Sequence, residues 1–161
     1  MPLNRSALPC RKVVSDLVSY YKTVANRLIE VDSLTPGCWI SVVDPTAQER
    51  KMLIDDYGLD SDFLKSSLDE EESSRVEQEE NQTLIIVDTA VSEVQKDDTL
   101  IFYTMPLGII ITDHYVFTIS LRGNKVIDDV VSGRVRNIQT QFRTQFVLRL
   151  MMNITASFLV Y

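Results

Sequence analysis

The sequence predicts a mixed α/β domain, a sheet with both parallel and antiparallel pairs and helices on its two faces in three αβα layers. Three observations predict it. Short β-prone runs open and occupy the middle of the chain, a capped amphipathic segment interrupts them, and two helical patterns close it.

The first strands are expected at Tyr20–Val24 and Arg27–Val31, β-prone runs on either side of Ala25-Asn26, with a third at Trp39–Val43. Asp44-Pro45-Thr46-Ala47-Gln48-Glu49 then starts a helix. Thr46 caps it, and Glu49 reaches back to complete a capping box. Met52, Leu53 and Tyr57 form its apolar face, Arg50, Lys51, Asp55 and Asp56 its wet face, and Gly58 ends it. A shorter helix is expected over Ser61–Leu68, with Phe63, Leu64 and Leu68 turned inward.

From Gln82 to Val94 the run Thr83-Leu84-Ile85-Ile86-Val87 reads as a strand, and Gln95-Lys96-Asp97-Asp98 turns the chain. Leu107–Thr112 and Tyr115–Ser120 flank Asp113-His114 as a tight hairpin. After Gly123-Asn124 come a helix over Lys125–Ser132, ended by Gly133, and a long helix from about Thr144. The long helix carries apolar residues at Val147, Leu150, Met151, Ile154, Phe158 and Tyr161. Its last four residues hold no glycine, proline or basic stop signal, so it reads as a helix that continues further. Phe102, Tyr103, Phe142, Phe146 and Phe158 fall within these stripes and are expected to pack in the core.

With 161 residues, of which 45% are hydrophobic, the chain is one domain's worth. Residues 1–10 are expected to be a loosely ordered start and 11–161 the folded unit. Cys10 and Cys38 stand apart with no Cys-x-x-Cys spacing, which favours a reducing setting over a zinc site or a bridge. The formal charge of -7 opposes nucleic-acid binding, which needs a basic face. No secretory leader is visible, and the longest uncharged run, Thr99–Thr112, is broken by Pro106 and Gly108. It is too short to cross a bilayer, which takes roughly 20 residues.

No residue pattern points to catalysis. His114 is the only histidine and falls at a turn without a partner for base or metal chemistry. There is no phosphate-binding glycine loop, and the acceptor patterns at Asn81 and Asn153 matter only in a secreted chain. The one constellation with chemical potential is acidic. Between Asp55 and Glu80, 11 acids face only Lys65 and Arg75, and the run Asp69-Glu70-Glu71-Glu72 offers the oxygen ligands that hard divalent cations require. The plainer reading of that run is a solvated loop.

In order and spacing, the motifs over Tyr20–Tyr161 resemble the amino-terminal domain of the CorA metal ion transporter family. Gly37-Cys38-Trp39-Ile40-Ser41-Val42-Val43-Asp44-Pro45-Thr46 is similar to the family's Gly-x-Trp-Ile-x-Leu-x-x-Pro-Thr, and Tyr57-Gly58-Leu59 to its Phe-Gly-Leu. Arg75-Val76-Glu77 before Thr83–Val87 is similar to its Arg-x-Lys-Val-Glu and the strand after it. Leu107–Thr112 with Tyr115–Ile119 resembles its hairpin, and Phe146-Val147-Leu148-Arg149-Leu150-Met151-Met152 the start of a Tyr-Leu-Leu-Tyr-Ala-Leu-Leu helix.

The resemblance implies a regulatory and assembly module on the cytoplasmic side of the cell membrane, in a protein that works as a homopentamer and is no enzyme. It implies Mg²⁺ as transported and regulatory ion, with Co²⁺ or Zn²⁺ as the alternative cargo, no obligatory cofactor, and no nucleic-acid partner. Membrane contact then belongs to stalk and membrane helices beyond residue 161, and the pore-mouth Gly-Met-Asn does not occur in these residues. One departure stands out: where the family often has Leu-Glu-Asp, this chain has Leu64-Lys65-Ser66. Asp62, Asp69 and Glu70, with Glu71 and Glu72, are the candidate replacement ligands. A stand-alone ligand-sensing α/β domain is the competing reading, and a small enzyme lacks any convergent nucleophile, base and oxyanion donors.

Overall fold

The computed structural model describes residues 17–160. The expected loosely ordered start, Cys10 and Tyr161 lie outside them. Seven strands form one mixed sheet: β1 (Val18–Val24), β2 (Arg27–Val31), β3 (Trp39–Val43), β4 (Arg75–Glu79), β5 (Gln82–Val94), β6 (Leu100–Ile111) and β7 (Val116–Ser120). Their spatial order is β2-β1-β3-β7-β6-β5-β4. Among the described residues only β3 and β7 run parallel, with Trp39 opposite Val116 and Val43 opposite Ser120. Every other pairing is antiparallel.

Two helices, α1 (Ala47–Asp55) and α2 (Ser61–Ser67), link β3 to β4, while α3 (Lys125–Val131) and α4 (Arg143–Phe158) follow β7. The period-two alternation of the central strands sorts their side chains onto two faces. On the first face Ile40, Val42, Leu84, Ile86, Ile110, Phe117 and Ile119 meet Leu53, Leu59, Phe63 and Leu64 of the α1–α2 layer. On the second, Trp39, Leu107, Ile109 and Val116 meet Val126, Val130, Phe146, Leu150 and Ile154 of the α3–α4 layer. The result is the three-layer αβα sandwich that the sequence predicts.

Local chemistry explains the element boundaries. The Thr46–Glu49 capping box forms, with the Glu49 N–H donating to Thr46 Oγ1 at 3.2 Å and the Thr46 N–H to Glu49 Oε2 at 2.8 Å. Ala25 and Asn26 both take positive φ, 49° and 63°, the backbone of a two-residue type I′ hairpin. Asp113-His114 closes the β6–β7 hairpin, where the Thr112 N–H donates to the Tyr115 carbonyl at 2.9 Å.

The structure corrects four sequence expectations. Strand β6 begins at Leu100 rather than Leu107, so Pro106 sits inside a strand. It does so just beyond the last β6–β7 pair, Gly108 with Ile119, where β6 has a neighbour on one side only and a missing N–H is tolerated. The second correction is β4, a short charged edge strand whose Arg-Val-Glu-Gln-Glu carries none of the apolar alternation that marks a strand. Third, β1 starts at Val18, two residues before the expected Tyr20. Fourth, of the aromatics expected in the core only Phe146 is fully buried; Phe102, Phe142 and Phe158 are 57%, 58% and 42% exposed. Phe142 precedes α4 and Phe158 ends it, and Phe102 lies on the part of the β5–β6 ribbon that runs past both neighbouring strands.

Gly108 marks where α2 settles onto the sheet. A Cβ there would lie 2.1 Å from Ser67 Oγ and 2.3 Å from its Cβ, so only glycine allows this approach. Cys38 is a buried free thiol.

Candidate functional site

The acidic segment Asp55–Glu80 spans the end of α1, all of α2, the loop after it and β4. Asp60 caps α2, accepting at Oδ1 from the Asp62 and Phe63 N–H groups at 2.9 and 3.0 Å. Asp62 therefore sits in the first turn of that helix, exposed to water, where a carboxylate is favoured by the helix dipole.

The run Asp69–Glu72 forms the turn that leads from α2 toward β4, and its carboxylates point in different directions. Asp69 Oδ1 accepts from the Glu71 N–H at 2.9 Å. Glu70 lies 4.0 Å from Arg122 beyond β7, and Glu72 pairs with Arg75. Arg75 also holds Glu77 at 3.1 Å and donates to Ser66 Oγ at 3.2 Å. These bonds, above all the one from Glu77, raise its already high pKa. Arg75 thus ties the loop to β4, a role that sequence reasoning missed because Glu72 and Arg75 lie in a loop and a strand, where no helical i,i+3 spacing flags the pair. Glu71 is exposed. Among the described residues no three His, Cys, Asp or Glu side chains converge in a group suited to holding a metal ion.

What the fold does bring together is a groove of about 410 Å³ between α1 and α2, at the carboxyl end of β7. Ile54, Leu64, Leu68 and Leu121 give it apolar walls; Arg50, Lys65, Ser61, Asp69 and Glu70 also line it. Two of the candidate ligands, Asp69 and Glu70, reach this groove, whereas Asp62, Glu71 and Glu72 do not line it. Lys65 and Ser66 part company: Lys65 faces the groove, and Ser66 accepts from Arg75.

Among the described residues no helix is long and apolar enough to cross a membrane. The fold and this surface define a three-layer αβα domain with a mixed seven-stranded sheet and an acidic loop beside an open groove. The family described as CorA-like Mg²⁺ transporter protein matches residues 36–161, and the chain belongs to that family of ion transporters. No sequence among curated proteins matches it. Its fold is similar to that of the complete CorA magnesium transporter from Methanocaldococcus jannaschii (TM-score 0.71, 23% identity), covering 89% of this chain and 46% of that one. It is equally similar to the soluble domain of that CorA (TM-score 0.70, 24% identity, 87% of this chain and 56% of that one). The ZntB cytoplasmic domain from Vibrio parahaemolyticus RIMD 2210633 shares the fold at TM-score 0.65 with 9% identity, over 90% of this chain and 60% of that one. The chain therefore spans about half the length of the complete transporter it resembles.

Proposed function

We propose that this chain is the cytoplasmic regulatory domain of a transporter that moves Mg²⁺ or Co²⁺, and that it supports assembly of a homopentamer. The observation that carries this reading is the family match over residues 36–161, in a domain that presents its excess of acid on one loop and the strand beside it. In this reading divalent ions gather at the Asp69–Glu72 loop, and Asp62 adds to the local negative field. Direct ligation of an ion draws on carboxylates from another subunit, with waters completing the octahedral set of oxygens around Mg²⁺.

The groove-facing Lys65 gives the domain its own character. An ammonium group beside Asp69 and Glu70 weakens cation binding on that side of the loop, so regulation by Mg²⁺ is expected at higher ion concentration than in members with acids at this position. The test is uptake of Mg²⁺ by cells that lack their own Mg²⁺ transport, expressing the transporter that carries this domain, with wild-type sequence or Lys65→Glu. Uptake shut off at lower internal Mg²⁺ in K65E supports the reading. No uptake of Mg²⁺ or Co²⁺ by the wild type refutes it, and uptake of Zn²⁺ alone assigns a zinc transporter instead.

A further inference from the structure

We propose that the groove between α1 and α2 is a binding site for a small organic anion, an apolar body carrying a phosphate group. Sheet topology is the first argument. Strands β3 and β7 are adjacent and parallel, yet the chain leaves β3 for α1 on the first face and leaves β7 for α3 on the second. Adjacent parallel strands whose connections depart to opposite faces form a topological switch point, and open α/β sheets bind ligands in the crevice outside the carboxyl ends of such strands. The groove lies there: Leu121 directly follows β7, and Arg50 and Ile54 come from the helix that follows β3.

Charge is the second argument. Arg50 and Lys65 both line the groove, and neither has a carboxylate within 4.0 Å among the described residues. Arg50 donates from Nε to the Pro45 carbonyl at 3.0 Å, which steadies the side chain and leaves its terminal nitrogens for a ligand. Asp69 and Glu70 line the same groove and keep their charge, Asp69 accepting from the Glu71 N–H at 2.9 Å and Glu70 lying 4.0 Å from Arg122. Arg50 and Lys65, neither in an ion pair among the described residues, therefore share the lining of this groove with Asp69 and Glu70. A guanidinium and an ammonium together suit a phosphate, one as a planar fork and the other as a point charge.

Size and lining are the third. A volume of about 410 Å³ falls within the range of small-molecule sites, and Ile54, Leu64, Leu68 and Leu121 offer apolar contact to a ring or short chain. This inference does not rest on the transport reading; it stands on the groove alone.

The experiment titrates 1-naphthyl phosphate into the 161-residue chain and follows backbone amide signals by NMR, with the neutral 1-naphthol as comparison. The expected result is saturable one-to-one binding with shifts clustered at Ile54, Ser61, Lys65, Leu68 and Leu121, and at least tenfold weaker binding of 1-naphthol. Arg50→Gln combined with Lys65→Gln should weaken the phosphate at least tenfold, and Ser61→Trp, which fills the mouth from an exposed position, should do the same. Leu148→Glu, on the far layer, should leave it unchanged. Equal binding of naphthol and naphthyl phosphate, shifts centred on the outer face of α4, or full affinity in both groove variants would each overturn the proposal.

Discussion

The side-chain amide of Asn124 donates to Thr89 Oγ1 at 2.7 Å inside the sandwich, and the Thr89 hydroxyl in turn donates a hydrogen bond to the Met105 carbonyl at 2.9 Å. The same asparagine accepts at Oδ1 from the Val126 N–H at 2.8 Å and so caps α3. Thr89 is 0% exposed and Asn124 3%, so water cannot replace either partner. One side chain thus fixes the start of α3 and locks it to the base of the β5–β6 ribbon.

Replacing Asn124 with Leu removes a helix cap and a buried hydrogen bond together. The expected loss is about 2–3 kcal/mol, the sum of a typical cap and a typical buried bond. Urea unfolding followed by the emission of Trp39, the only tryptophan and 0% exposed, reads it directly. A cycle with Thr89→Val should return a coupling of about 1 kcal/mol; additive losses would show that the two side chains act independently.

Gly108→Ala should destabilise the domain by about 1–3 kcal/mol, the cost of overpacking a filled interior. The added carbon meets the Ser67 side chain from 2.1 Å, and Ser67 Oγ is itself held by the Phe63 carbonyl at 2.8 Å. The hydroxyl cannot swing aside freely, so α2 must lift. Combining the change with Ser67→Gly removes the two closest contacts, leaving the Ser67 Cα at 3.1 Å, and should recover part of the loss. No recovery would place the cost on the close approach of the α2 backbone, where the Ser67 Cα lies 3.1 Å from the added carbon, rather than on the serine side chain.

Much of this architecture is legible in the sequence because its signals are local. The capping box at Thr46 and Glu49, the turn at Ala25-Asn26 and the apolar spacing of Phe146, Val147, Leu150 and Ile154 each declare an element within a few residues. β4 and the outer half of β6 are not legible, since a charged edge strand and a strand containing Pro106 owe their existence to the partner they pair with. The groove is hidden for a stronger reason: Arg50, Lys65 and Leu121 meet only after β3 and β7 pair. The acidic run is fully visible, but its geometry is not, because Arg75 and Arg122 draw Glu72 and Glu70 apart.

Acid stability should depend on Asp129. Lys125 Nζ donates to its Oδ2 at 2.7 Å and Arg134 to its Oδ1 at 2.9 Å, and the lysine bond is the larger reason that its carboxyl is held below the ordinary range. The depressed folded value means that its contribution is complete above the ordinary carboxylate range and fades as pH falls through the folded value. Asp129→Asn should therefore cost about 0.5 kcal/mol at pH 7, small because both cations are exposed, and next to nothing near pH 2. Equal losses at the two pH values would assign the effect to packing rather than charge.

Mg²⁺ should bind the isolated chain weakly and without fixed ligands. The segment Asp55–Glu80 carries 11 acids against two cations, which concentrates divalent ions around it, but no three carboxylates converge among the described residues. Mg²⁺ sheds its water reluctantly and demands near-ideal octahedral oxygens, so scattered carboxylates hold it through its hydration shell. Such attraction is screened over about 10 Å at 0.1 M salt. Calorimetric heats of Mg²⁺ addition should accordingly be small at low ionic strength and vanish in 0.5 M NaCl. Changing Glu70 and Glu71 to Gln should lower them in proportion to the charge removed, since both side chains are exposed and the ion pair of Glu70 with Arg122 is long at 4.0 Å. Heats that persist in high salt and disappear when Asp69 alone becomes Asn would instead reveal an inner-sphere site built on that residue.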